Sequence, residues 1–119
     1  MAYSEFQAER IRKRLSQVNF FEKKMMGGLI FMVNEAMCVG LDTNKSTRTD
    51  RLMVRVGTLN YEALLAQKGT KPMDFTGKVM RGFLFIEVEG FDFEDDLDFW
   101  IGKALEFNSL LIQPSKGNS

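Results

Sequence analysis

The stretch FFEKKMMGGLIFMVNEAMCVGL, residues 20–41, decides the fold. Strand-forming residues lead to a glycine pair at 27–28, and Leu29–Val33 is an uninterrupted apolar run that predicts a buried strand. The dipeptide at 34–35 is a candidate two-residue hairpin turn before another strand, Ala36–Leu41. Consecutive strands with short connections predict an antiparallel sheet.

Before this sheet, Ser4 and Gln7 match a capping box. Apolar residues then recur every three or four positions from Ala8 to Val18, which predicts a helix over 5–17. After the sheet core, residues 42–50 (DTNKSTRTD) are wholly polar, and we expect an exposed, mobile loop there.

The second half begins with RLMVRV, residues 51–56, whose alternation predicts a strand. A short helix over 59–67, a turn region over 71–77 with a short strand around Met73, and a strand over 82–88 follow. A long helix from Asp92 to about Leu111 ends the pattern. Its expected inner stripe comprises Leu97, Trp100, Ile101, Ala104, Leu105, Asn108 and Leu111. Trp100 is expected to pack on sheet residues such as Phe31, Val54 and Phe85.

These elements predict an α+β fold: an antiparallel sheet of about five strands with three helices packed mainly on one face. The length, 119 residues, fits one domain. We expect that domain to span residues 1–112 and to be followed by a flexible tail over 113–119.

The chain contains no histidine and one cysteine, Cys38. This composition excludes nucleophile–histidine pairs, histidine-based metal sites, four-cysteine zinc sites and an internal disulfide. We therefore expect no enzymatic activity, no cofactor and no metal. Cys38 lies mid-strand in apolar company, which favours a buried structural thiol over a catalytic thiolate.

The formal net charge is zero, which argues against direct DNA binding. Residues 1–60 hold ten Lys and Arg against six Asp and Glu, and residues 61–119 hold six against ten, so the halves carry +4 and −4. This split indicates either a polar face for a partner or two surfaces of one domain. Without a signal-peptide pattern or a membrane-spanning run, we expect a cytoplasmic protein with no membrane partner.

Two short motifs have a structural and a functional interpretation. The glycine pair at 27–28 could cradle a phosphate, but no Lys-Ser/Thr follows, which favours a turn with positive φ or a close backbone approach. The acidic run 92–98 lacks the glycine and the bidentate glutamate of a calcium loop. It suits the first turn of a helix.

Methionines and strand cations are the remaining candidates for binding. The chain has eight methionines, which either fill the core or line an adaptable binding surface. Cations on strands could converge on the sheet face away from the helices and hold an acidic partner or a phosphate; otherwise they lie on a solvated face. The candidate binding residues are Lys24, Arg55, Asp74, Lys78 and Arg81.

Several segments together resemble the amino-terminal domain of the TfoX/Sxy family of bacterial competence regulators. They are KKMMGGLIFMV (23–33), LMVRVG (52–57), PMDFTGK (72–78) with Met80, Gly82 and Phe83, and DLDFW (96–100) with Ala104 and Leu105. Met26 and Thr58 depart from the family's usual Phe and Pro. The family's second, helical domain would begin where this sequence stops, so we expect a stand-alone first domain.

The resemblance implies helices on one face of an antiparallel sheet, similar to secretion chaperones. It also implies a non-enzymatic role through protein contacts in transcriptional activation of DNA-uptake genes, with the transcription machinery or a cyclic-AMP-responsive activator as partner. We expect a monomer or weak homodimer. The alternative is a small-ligand or phosphate-binding domain that uses a basic sheet face.

Overall fold

The computed structural model describes residues 3–25, 27–75 and 77–111; Met26 and the predicted tail lie outside them. The elements are α1 (Glu5–Arg14), β1 (Phe20–Met25), β2 (Gly28–Val33), β3 (Ala36–Asn44), β4 (Thr49–Arg55), α2 (Tyr61–Leu65), β5 (Thr70–Phe75), β6 (Lys78–Glu87), a 3₁₀ turn (Val88–Gly90) and α3 (Glu94–Leu111).

The six strands form one antiparallel sheet in the order β1-β2-β3-β4-β6-β5. Strands β1 to β4 are a meander, and after α2 the chain returns so that β6 lies beside β4 and β5 forms an edge. The predicted α+β class is confirmed. The sixth strand is β5, because the short strand predicted around Met73 is a complete edge strand over Thr70–Phe75 and leaves only a short turn before β6.

Alternation along the strands gives the sheet two different faces. Leu52 and Val54 of β4 join residues of all three helices in the main core, and we call this side the inner face. Ile30, Met53 and Met73 form a second buried cluster on the opposite side, which we call the outer face. Central strands are therefore apolar on both faces, although the helices of the described residues cover only one.

The turns predicted at 27–28 and 34–35 are confirmed. Asn34 and Glu35 have φ of 51° and 68°, the two positive values that a type I′ hairpin turn requires. Gly27 has φ of 77°. A Cβ at Gly28 would lie 2.4 Å from the carbonyl oxygen of Leu41, so this glycine permits close approach of two backbones.

The expected loop over 42–50 is wrong. Strand β3 continues to Asn44 and β4 begins at Thr49, so only residues 45–48 connect them. Polar sequence does not prevent pairing here, because Asp42 and Arg51 are register partners and form a two-bond ion pair of 2.8 and 3.0 Å.

Helix α1 ends at Arg14, earlier than predicted, and it begins with half of the expected capping box. Ser4 Oγ accepts a hydrogen bond from the backbone N–H of Gln7 at 3.3 Å. The Gln7 side chain instead donates to Asp50 and accepts from Arg10, so it joins the helix to β4 and does not close the box.

Helix α3 packs on the inner face through the predicted stripe as far as Asn108. Asn108 donates to the Val33 carbonyl at 2.9 Å and accepts from Asn34, which fixes the helix to the end of β2. Leu111 is 43% exposed, so its place in the stripe is wrong. Asn108, one helical turn before it, already contacts the last residue of β2. Trp100 shares the main core with Phe31 and Val54, whereas Phe85 packs on the outer-face cluster.

The charges of the two halves meet between α1 and α3. Arg14 pairs with Glu94 and Asp98, and its hydrogen bond lowers the pKa of Glu94. Arg10 donates to the Asp92 carbonyl at 3.0 Å. Part of the acidic run is thus held by α1 within the domain. Whether the charge split also serves a partner stays a prediction.

We predict that Trp100→Ala lowers the free energy of unfolding by about 3–5 kcal/mol, because it removes a large side chain from the main core. The indole also loses its hydrogen bond to the Gly90 carbonyl (3.2 Å). Denaturant unfolding would measure this. Phe93→Ala, at a residue that is 69% exposed, is the control and should change stability by about 0.5 kcal/mol or less. Similar losses in both variants would contradict the packing.

Cys38 is the extra residue of a β-bulge. Phe31 pairs with Val39 and Met32 with Met37, which leaves Cys38 without a register partner and places it with Val39 in the main core. Burial raises the pKa of the thiol from 9.0 to about 12, partly offset by Arg55. The predicted buried thiol is confirmed.

We predict that Cys38 reacts slowly with iodoacetamide at neutral pH and rapidly after denaturation, because the native fold disfavours the thiolate. The unfolded thiol ionises first as the pH rises. The contribution of Cys38 to stability is therefore complete below pH 9 and is lost between pH 9 and about 12. Mass spectrometry of timed samples would measure the reaction, and fast labelling of native protein would refute the prediction.

Candidate functional site

The predicted binding residues do not share one surface. Lys24 pairs with Leu29, a main-core residue, so it lies on the inner face of β1. Arg81 turns toward α2, where it pairs with Glu62 at 3.1 Å and lies over the Tyr61 ring. Strands β1 and β6 are separated by three strands, about 19 Å from axis to axis. The expected convergence is therefore wrong for Lys24 and Arg81.

Of the other three, Asp74 and Lys78 are exposed near the β5–β6 turn, and Arg55 is half-buried. The Arg55 guanidinium carbon lies 5.2 Å from the centre of the Phe83 ring and 5.5 Å from that of Phe107 on α3. These contacts give Arg55 a packing role. Whether any of these residues binds a ligand stays a prediction.

The outer face carries the six methionines of the described residues. Partly buried side chains pack around Ile30, Met53 and Met73. They are Met25, Met32, Met37, Met80, Phe83 and Phe85. The methionines therefore fill a cluster, and that cluster lies on the sheet face that the described helices do not cover. Their role as a binding surface stays a prediction.

A groove of about 350 Å³ crosses this face. Its floor includes Ile30, Met53, Met73 and Phe85, and Met25 lies at its β1 side. The depth comes from glycine: Gly40 pairs with both Ile30 and Met53, so one strand contributes no side chain at the middle of the floor. The volume is that of a small ligand pocket or of a cleft for a few side chains.

One end of the groove is polar. Arg51, paired with Asp42, also lies over Phe85, with 3.8 Å from its guanidinium carbon to the ring centre. Asn44, at the same end, donates to the buried carboxylate of Glu87 at 3.0 Å. Each of these carboxylates accepts a hydrogen bond, so the polar end is preorganised.

The strand register aligns one residue from each of the six strands in a continuous row across the sheet. Successive register partners are Lys23, Ile30, Gly40, Met53, Phe85 and Lys71, on β1, β2, β3, β4, β6 and β5. We call this set the cross-strand row. It has an exposed lysine at each end and apolar groups or glycine between them.

Sequence reasoning missed Lys23, Lys71, Arg51 and Gly40. Alternation could have placed Lys23 with Met25 on one face of β1. The alignment of Lys23 with Phe85 depends on the register of five successive strands in the sheet, β1, β2, β3, β4 and β6.

Cys38 is buried in the main core, away from the groove. Among the described residues, no cluster of three or more Asp, Glu or Cys could hold a metal ion, and no helix is long and apolar enough to cross a bilayer.

Comparisons with known proteins identify the family and support the fold. The model of the TfoX N-terminal domain matches residues 13–108. No curated protein matches the chain. The fold is similar to the crystal structure of a protein from Pseudomonas syringae determined by the Northeast Structural Genomics Consortium, with a TM-score of 0.59 and 13% identity over 82% of this chain and 94% of that one. Since the family match spans most of the chain, this protein belongs to the TfoX N-terminal domain family.

Proposed function

We propose that the chain is a non-enzymatic protein-interaction module that binds its partner on the outer face of the sheet. The observation that supports this is the groove lined by methionines on a face that the described helices leave uncovered. By its family, the module is proposed to act in transcriptional regulation, with the transcription machinery or a cyclic-AMP-responsive activator as partner.

Methionine suits such a surface for a physical reason. Its unbranched thioether has three rotatable bonds and a polarisable sulfur, so it adapts to the shape of a docked side chain at small cost. The groove adds a fixed polar end, where Arg51 is held by Asp42 and by the ring of Phe85. Apolar contact would supply affinity, and the polar end would orient the partner.

The alternative is a small-ligand or phosphate-binding domain with a basic sheet face. It would need Lys24, Arg55, Asp74, Lys78 and Arg81 to act together. Lys24 and Arg81 point away from the outer face, and Arg55 lies against two phenylalanine rings. These positions favour the interaction module.

Arg55 separates the two functions experimentally. We predict that Arg55→Ala lowers the free energy of unfolding by about 1–2 kcal/mol, because it loses its aromatic contacts and the packing of its stem. Arg48→Ala, in the exposed hairpin loop, is the control and should leave stability nearly unchanged. Denaturant unfolding and calorimetry with inorganic phosphate would measure both effects. Unchanged stability together with lost phosphate binding would favour the alternative.

Two arginine substitutions, one inside the groove and one outside it, test the binding surface. We predict that Met25→Arg, at the groove, abolishes capture of the partner from a lysate of the native cells. Val79→Arg, at a 55% exposed position outside the groove, should preserve it. Quantitative mass spectrometry would compare the captured proteins, with circular dichroism as the check on folding.

Identical captured proteins for both variants would show that the outer face is not the binding surface. A transcription protein that is lost only with Met25→Arg would support the regulatory part of the proposal.

A further inference from the structure

We propose that the groove receives an amphipathic α-helix of another protein, with carboxylates near both ends of the helix. This inference rests on the proposed function and specifies the partner's chemistry. It is drawn from the cross-strand row, in which an apolar centre is flanked by Lys23 and Lys71.

The charges of the outer face select an acidic partner. Within the described part of the chain, neither Lys23 nor Lys71 has a carboxylate within ion-pair distance. The two carboxylates at the polar end are already engaged, Asp42 by Arg51 and Glu87 by Asn44. The lysines at the ends of the row are thus free to pair with carboxylates of a partner, and exposed charges of this kind set partner choice and association rate.

The length of the row sets the length of the helix. Five strand spacings of about 4.8 Å separate β1 from β5, which gives about 24 Å between the lysine positions. An α-helix covers that distance in about 16 residues. The dip at Gly40 lies near the middle of the row, where a large apolar side chain of the helix would enter.

A helix fits this surface better than an extended peptide does. The free backbone edges of the sheet are at β1 and β5, so an extended segment crossing the groove would place its backbone N–H and C=O groups over methionine and phenylalanine side chains. Leaving such groups without partners is costly. A helix satisfies these groups internally and presents only side chains.

Two other occupants fit poorly. A second copy docked face to face would bring the lysines of one outer face toward those of another, and like charges across an interface disfavour association. A nucleic acid strand needs cations that follow its phosphates. Here the end cations are about 24 Å apart, and Arg51 already covers one face of the Phe85 ring.

The test uses two dye-labelled helical peptides of about 16 residues. Both have leucine and methionine on one face; the acidic peptide has glutamates in its first and last turns, and the basic peptide has lysines there. Fluorescence anisotropy would measure both dissociation constants at about 50 and 300 mM salt. The full chain should bind the acidic peptide about tenfold more tightly than the basic one at low salt, and the difference should shrink at high salt.

The double variant Lys23→Glu/Lys71→Glu should reverse this preference. Its matched control, Lys24→Glu/Lys68→Glu, makes the same change in net charge at exposed lysines outside the row and should keep the preference. Equal effects of the two double variants would overturn the proposal. Absence of saturable binding of the acidic peptide up to about 1 mM would also overturn it.

Three further outcomes separate this inference from the proposed function. A dimer seen by sedimentation that Met25→Arg abolishes would make a second copy the occupant and refute the inference. If the native partner is captured through the groove while the peptides show no preference, the partner's chemistry is wrong and the proposed function stands. If capture does not depend on the groove, the proposed function itself fails.

Discussion

The central strands carry apolar side chains on both faces, and the described helices cover only one of them. Strand β2 is buried along almost its whole length, with Phe31 and Val33 toward the helices and Ile30 toward the outer face. The outer side chains must therefore be shielded without a helical layer. The six-stranded sheet shields them by gathering methionines and phenylalanines from several strands around Ile30, Met53 and Met73.

How far the sequence predicts this structure depends on the range of the interaction. The turn at 34–35, the strands around it and the burial of Trp100 follow from local periodicity, and all are confirmed. The polar segment 42–50 misled the prediction, because its pairing depends on partners across the hairpin, such as Asp42 with Arg51. Phe85 was assigned to the wrong face for a related reason: alternation within a strand gives two sets of side chains but does not tell which set meets the helices.

The candidate site was harder to predict than the fold. Cations on strands were predicted to be binding residues because charged side chains are uncommon in strands. However, Lys24 and Arg81 point to the inner side, and Arg55 packs on phenylalanine rings. Lys23, at one end of the cross-strand row, directly precedes Lys24 in the sequence, and alternation alone does not tell which of the two lies on the outer face. The register between β4 and β6, which pairs Met53 with Phe85, is what aligns Lys23 with Lys71 across the sheet.

The two glycines of the groove differ in what the fold demands of them. A Cβ at Gly28 would meet the backbone oxygen of Leu41 at 2.4 Å, so close pairing of β2 and β3 requires glycine there. A Cβ at Gly40 would meet the ends of the Ile30 and Met53 side chains at 2.9 and 3.0 Å. Flexible side-chain ends can move, whereas a paired backbone cannot, and glycine weakens a strand interior. The fold alone therefore gives a weaker reason for glycine at position 40 than at position 28, whereas the proposed function, which needs an open groove, supplies a second reason.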